Sequence, residues 1–429
     1  MWLLHFPSGK SMDQSKDKKP KIEAGEDGKD RLSNLPDALI TRILSHLPIK
    51  EAVRTSVLST KWERKWMAIT NISLDDSLLN YGDRRFKKAY FMNVVDNILL
   101  RIGSSSIEDF SLACRGKYPE CRVSTWISAV IRHRVQRLDI CLLENEPFTL
   151  PRCLMTSDSL RDLRLDGCCQ LKVPSSTRFS SLKFLSLERV TIFYLCGTAD
   201  STEILLQFPV LEHFSCRDCK WLNLKVVSID SPALKNFTMR SSSAFMKMRR
   251  LDYPLDLKFN IYAIDLTTLV YYGDFSEEFT LPTPLGIVDA DVNVGYDYIS
   301  SNLNWERQLG LRAYTHLQKL SGVRYLTLVA LTFKGVTETE EGSLTMVPKC
   351  IVSSLKFIKI RHFDAKGFDS LNFLLKHARV LETIHITFIE SWKLKQRQRK
   401  KIEKFKMKIL AMPKRSRSAK FIFSLEKFR

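Results

Sequence analysis

The sequence predicts an α/β chain: three short N-terminal helices, then an irregular solenoid of strand-bearing repeats, then a C-terminal α/β unit that caps it. Three observations predict this. Residues 31–72 hold a dense apolar cluster with helix punctuation. An apolar pattern of strand period recurs with starts from Val135 to Leu381. From Val347 onwards strand and helix patterns alternate to the end of the chain.

The first element is RLSNLPDALITRILSHLPIKEAVRTSVLSTKWERKW, beginning at Arg31. Pro36 sits where a first-turn proline is tolerated, because its missing N–H would be unpaired there anyway. Asp37 follows as an acid at the positive end of the helix dipole. Leu39, Ile40, Ile43, Leu44 and Leu47 recur at helical spacing, and Pro48 stops the run. A second helix fits Lys50 to Thr55, and a third carries Val57, Leu58, Trp62 and Trp66, the two tryptophans four apart on one face. A bundle this small buries too little surface to stand alone. It also carries more large apolar side chains than three short helices can hide, so the rest of the chain or a partner must cover the remainder.

At these residues the chain resembles the F-box, the motif that docks a receptor subunit onto the Skp-type adaptor of a cullin–RING ubiquitin ligase. The LP pairs stand at Leu35-Pro36 and Leu47-Pro48, the first-helix aliphatics at Leu39 and Ile43, and the closing SVLSxxW at Ser56, Val57, Leu58, Ser59 and Trp62. The resemblance implies that Leu35, Pro36, Leu39, Ile43, Leu47, Pro48, Val57, Leu58 and Trp62 face the adaptor or the small core beneath it.

Residues 1–30 carry matched acidic and basic charge, and beyond the apolar opening MWLLHFP residues 8–30 are nearly free of large apolar groups, which predicts a disordered tail. After the F-box, Phe86 to Leu99 and Trp126 to Ile131 read as amphipathic helices; residues 73–134 are expected to form a helical N-terminal cap. The template L-x2-L-x-L-x2-(N/C or apolar) then starts at Val135, Leu160, Leu182, Leu211, Leu234, Leu266, Val323, Leu355 and Leu381. The two apolar residues of its L-x-L pair point one way, as strand alternation requires. Several intervals fall in or near the leucine-rich-repeat range, and residues 135–345 are assigned to such repeats. From Pro282 to Ser321 the template is lost, and Leu303 to Leu320 reads as an inserted helix.

From Val347 the chain resembles the FBD module carried C-terminally by plant F-box/leucine-rich-repeat proteins. Its strands are expected at Leu355 to Ile360, Leu381 to Phe388 and Phe421 to Phe423, and its helices at Leu371 to His377 and through Phe405 to Leu410. Residues 346–429 would cover the open end of the solenoid.

The chain has 429 residues, 44% hydrophobic and 27% charged. That is ordinary for a globular protein with two or three domains. No run approaches the ~20 apolar residues of a membrane span. No export signal is visible, so the ten cysteines read as reduced thiols in nucleus or cytoplasm. Of the net charge of +20, residues 392–418 supply +11, from twelve basic and one acidic side chain. This stretch reads first as a helix with a solvated face, since Ile402, Phe405, Ile409 and Leu410 give it an apolar stripe. An import signal and a nucleic-acid surface are less favoured, the interleaved aromatics of a stacking platform being missing.

No catalytic, metal or cofactor site is assigned. Cys216-x-x-Cys219 has no second pair, and both cysteines fill structural slots of a repeat, as does Cys168. HExxH and G-x-S-x-G patterns are not found. The sequence reading is a non-catalytic substrate-receptor subunit of an SCF-type ligase, with a Skp-type adaptor and an unidentified protein target as partners. Its rivals are a repeat scaffold acting outside a ligase and a basic nucleic-acid binder.

Overall fold

The structure, a computed structural model, describes residues 34–78, 84–102, 107–143, 148–174, 176–194, 203–241, 257–273, 278–281, 286–294, 316–329, 347–390 and 396–427, together with Leu32 and Tyr314. The predicted tail at 1–30 and most of the predicted helix at 303–320 lie outside these residues. The chain divides into two compact units, Met1–Leu160 and Arg161–Arg429.

The first unit opens with α1 (Asp37–Ser45) and α2 (Ile49–Arg54). The expected third helix is not formed. Thr55–Val57 and Lys65–Ala68 are 3₁₀ turns, with turns between them. Val57 and Leu58 therefore point to solvent while Trp62 and Trp66 are both buried.

Then come β1 (Asn71–Asp75), α3 (Arg84–Arg101), β2 (Asp109–Cys114), α4 (Glu120–Arg132) and β3 (Arg137–Leu142). The strands pair in parallel, Ile72 opposite Phe110 and Phe110 opposite Leu138. Helices α3 and α4 are thus crossovers between parallel strands, not a cap ahead of them. Trp126 Nε1 donates to Asp96 Oδ1 at 2.7 Å, and the Trp126 ring meets Phe91 edge-on at 6.4 Å, which ties α4 to α3.

In the second unit ten strands run parallel in chain order: β4 (Asp162–Gly167), β5 (Phe184–Glu188), β6 (His213–Arg217), β7 (Asn236–Arg240), β8 (Thr268–Gly273), β9 (Asp289–Val294), β10 (Tyr325–Val329), β11 (Phe357–Arg361), β12 (Thr383–Glu390) and β13 (Lys420–Lys427). Each template start from Leu160 onwards lies two residues ahead of one of these strands. Strand β9 corrects the expected gap, since Ile287, Ala290 and Val292 fill the template inside it and are buried.

Strands β11 to β13 correct the expected cap. They pair onward from β10, Leu326 opposite Ile358, so the C-terminal segment continues the sheet. Two further parallel sheets were not anticipated. One joins Ser176–Arg178, Glu203–Gln207, Val226–Asp230, Lys258–Tyr262 and Glu278–Thr280; the other joins Cys169–Val173, Thr191–Tyr194 and Lys220–Leu222.

Repetition is visible in the hydrogen bonds. The carbonyls of Lys183, Glu212, Lys235 and Lys356 each accept two successive N–H groups from the next strand entry, as Lys183 does from Glu212 and His213. Strand alternation sends one side of each strand inward. Phe214 and Phe237, opposite each other in register, stack at 5.3 Å and are 1% and 0% exposed.

Four of the turns after the L-x-L pair bend through a left-handed residue: Gly167 (φ 114°), Arg189 (57°), Asp218 (50°) and His362 (54°). Non-glycine residues pay about 1–2 kcal/mol for that conformation. Next comes the slot residue, buried at Val190, Cys219 and Phe363. At Gly167 the chain turns differently. Cys168 is exposed and Cys169 is buried, which corrects the assignment of Cys168 to the slot.

Candidate functional site

Pro36 precedes α1, and its carbonyl accepts from Leu39 N at 2.9 Å and Ile40 N at 3.1 Å, which starts the helix. Asp37 in the first turn pairs with Lys65 Nζ at 2.5 Å, and that hydrogen bond holds its carboxyl below the usual range. Lys61 Nζ donates to Leu35 O at 2.8 Å. Two lysines of the closing turn region thereby pin the entry of α1. Pro48 repeats the device for α2, its carbonyl accepting from Glu51 N and Ala52 N.

The helix divides its aliphatics in neighbouring pairs. Ile40 and Leu44, four apart, are fully buried, whereas Leu39 and Ile43, also four apart, are 45% and 43% exposed. Val57 and Leu58 add 67% and 54% exposure. Pro36 and Pro48 are exposed, and Leu35 and Leu47 are half-buried. Among the predicted docking residues Trp62 stands apart: at 3% exposure it belongs to the core beneath and offers an adaptor little surface.

Completing the burial of the four exposed aliphatics by a partner contributes on the order of 1 kcal/mol each. Four such side chains in one segment of fewer than 40 residues form an unusual exposed apolar set for a folded surface. Leu32, missed by the sequence reading, is 54% exposed at the entry and extends the set.

On the solvent side of the second unit's long sheet the side chains are mostly polar, and one group is tightly interlocked. Tyr272 Oη donates to Asp291 Oδ2 at 2.6 Å, and Arg361 Nη1 donates to Tyr272 Oη. Arg361 also lies 3.6 Å from Asp291 Oδ2 and 3.6 Å from Glu426 Oε1, and Thr387 Oγ1 donates to Glu426 Oε2 at 2.9 Å. The Arg240 guanidinium sits 4.6 Å over the Tyr272 ring. Burial, with Asp291 beside it, pushes the Tyr272 hydroxyl up to about 12, and burial raises Asp291. This group spans strands β7 to β13 and was not legible in the sequence, since its members are far apart along the chain.

The thiols read as structural. Cys219 Sγ donates to the carbonyls of Leu187 at 3.5 Å and Arg217 at 3.4 Å. Burial pushes Cys169 and Cys350 up to about 12, so neither is a thiolate near neutral pH.

This helical segment, with a closed core and an exposed aliphatic set, falls within a match to a known family. The F-box domain model matches residues 32–68 and the FBD model residues 344–386. An F-box/FBD/LRR-repeat protein of Arabidopsis thaliana is 28% identical over 375 residues, covering 87% of this chain and 77% of the relative. An F-box/LRR-repeat protein of the same plant is 30% identical over 365 residues, covering 83% of this chain and 91% of the relative. This chain belongs to the plant F-box/FBD/LRR-repeat family, whose F-box is in general the adaptor-binding element of SCF substrate receptors.

Proposed function

We propose that this chain is the non-catalytic substrate-receptor subunit of an SCF-type cullin–RING ubiquitin ligase. The observation that carries the reading is the exposure of Leu39, Ile43, Val57 and Leu58 on a segment whose neighbouring aliphatics are closed. A Skp-type adaptor covers that apolar set, with Leu35, Pro36, Leu47 and Pro48 at its margin. Trp62 shapes the face from below.

The parallel strands with their repeated carbonyl ladder are read as a leucine-rich-repeat solenoid, and the FBD as its last repeats. The solvent side of its strands is the natural place for a protein target. The mechanism is proximity: fixing adaptor at one element and target at another raises the effective concentration of target lysines at the ubiquitin-loaded enzyme. The chain acts in the nucleus, the cytoplasm or both.

The test is co-purification of adaptor with the full chain carrying Ile43→Ala and Leu58→Ala. Both side chains are substantially exposed, so stability changes by about 0.5 kcal/mol or less per site. The expected outcome is at least a tenfold loss of adaptor affinity with an unchanged far-UV circular dichroism spectrum. Retention of full affinity overturns the docking face. A wild-type chain that stays alone on a sizing column with purified adaptor overturns the ligase reading and leaves a repeat scaffold.

A further inference from the structure

The helix Gln396–Leu410, here α5, packs its apolar stripe inward as expected: Ile409 is fully buried, and Ile402 and Phe405 are half-buried. That packing leaves the charge of the helix unexplained. Arg399, Lys400, Lys401, Lys404 and Lys408 are exposed, with Glu403 the single acid in the helix. Its carboxylate is taken by Lys406 at 2.7 Å. No described residue forms an ion pair with Arg399, Lys400 or Lys404. A solvated helix face ordinarily mixes both signs. Here residues 392–418 hold twelve cations against one anion.

The basic surface continues past the helix. Arg415 and Arg417 are exposed, and Arg415 N donates to Leu375 O at 3.0 Å, which places this turn at the end of the helix Phe368–His377. Lys376 of that helix adds another exposed cation.

The aromatics decide between partners. Lys401 lies 5.5 Å over Phe405, Lys406 5.9 Å over Phe423, Lys408 4.2 Å over Phe368 and Lys414 5.6 Å over Phe421. These rings carry ammonium groups on them, and all four are half-buried or buried. They are not free to stack on bases, so a single strand read by stacking is disfavoured. Cations at Lys400, Lys404 and Lys408 recur once per turn, about 6 Å apart along the axis, a ladder suited to a row of phosphates. An interfacial membrane helix would need its apolar row outward. Here that row is turned inward, and only Met407 and Leu410 are exposed.

We infer that the exposed face of α5, with Arg415 and Arg417, is a sequence-independent docking surface for the phosphate backbone of a nucleic-acid duplex. This inference does not rest on the ligase reading. The structural reading of the helix stands as well, since the two roles use opposite faces.

The experiment is fluorescence anisotropy of the full chain with a labelled random-sequence DNA duplex, from about 50 to 200 mM salt. The wild type should bind at low salt and lose more than tenfold in affinity over that range. Arg399→Gln, Lys400→Gln and Lys404→Gln together should weaken low-salt binding more than tenfold and reduce the salt slope by roughly 2 to 3. Arg132→Gln, Arg152→Gln and Lys225→Gln, also at exposed positions, should leave binding within about twofold, which excludes a mere net-charge effect. Unchanged circular dichroism and an unchanged thermal unfolding midpoint confirm that the variants are folded. The inference is overturned by no binding at low salt, by equal binding of both triple variants, by tighter binding to oligothymidine, or by binding to phosphatidylserine vesicles in place of the duplex.

Discussion

The F-box segment and the long sheet of the second unit solve the same problem in opposite ways. Both must hide closely spaced large apolar side chains. In the sheet, period-two alternation sends Phe214, Phe237, Ile358 and Ile360 inward, and the solvent side is mostly polar, with groups such as Asp166, Glu188, Arg217 and Arg240 beside a few apolar ones such as Tyr325 and Ile422. Arg189 then pairs with Asp166 and, at 2.8 Å, with Glu188. Such exposed pairs stabilise little, but they keep the surface at ease in water. Helix α1 has aliphatics on adjacent faces and can bury only one of them. The comparison teaches that strand alternation sorts most of the sheet's large apolar groups inward, whereas α1 leaves Leu39 and Ile43 exposed beside the buried Ile40 and Leu44.

If this contrast is right, equal truncations in the two regions have unequal effects. Phe237→Ala removes a fully buried, stacked ring and should cost about 3–5 kcal/mol, read by denaturant unfolding. Ile43→Ala should cost about 0.5 kcal/mol or less in the same measurement. Comparable losses at the two sites would erase the distinction between a closed core and an open docking face.

The polar side of the sheet offers the next test. Arg361→Met should cost about 1.5–3 kcal/mol, because Asp291 and Glu426 lose their shared cation while half-hidden from water. Adding Asp291→Asn should recover part of that loss in a double-mutant cycle. Strict additivity would show that the group is a set of independent surface contacts.

Much of this architecture was legible because a period-two pattern is a direct print of strand geometry. The templates at Leu182, Leu211 and Leu355 each lead into a strand two residues on. What escaped did so for physical reasons. Ile69, Ile72 and Leu74 lead β1, and Ile107, Phe110 and Leu112 lead β2, with isoleucine where a leucine template looks for leucine. Ala290 weakens the print of β9, and the acids at 289 and 291 disguise it further. The second and third sheets have short strands, such as Lys220–Leu222, that give too few residues for a period.

In the F-box segment the aliphatic content was plain, but its division was not. Sequence spacing puts Leu39 beside Ile40 and Ile43 beside Leu44 without saying which of each pair is inside. Ile40 and Leu44 are the buried members, as are Trp62 and Trp66, which arrive through turns that no helical period encodes. Likewise the offset of Cys169 against Cys168 follows from the φ of Gly167, a single backbone angle with no apolar signature.

The smallest expected effect is a pH dependence to which a histidine of the sheet contributes. His385 on β12 shares a 2.8 Å hydrogen bond with Ser424 of β13. Burial lowers its pKa, Lys359 across the strand adds to the lowering, and Glu426 opposes both. The folded state therefore resists protonation more than the unfolded chain, whose histidine titrates near 6.5. The sign follows: its contribution to stability is fully present above about pH 6.5 and is lost as pH falls through the depressed folded value. His377, lowered by burial and by Lys376 and Arg415, adds in the same direction, whereas the raised Asp291 acts in the opposite one, so the wild-type profile is a composite. The difference between wild type and His385→Gln isolates one contributor. Its expected form is a smaller drop in Tm for the variant between pH 7.5 and 5.5, with adaptor affinity unchanged at both. An identical drop in the two proteins would mean that the imidazole is hydrated in the folded chain, and the sheet's polar side would be more open than its burial indicates.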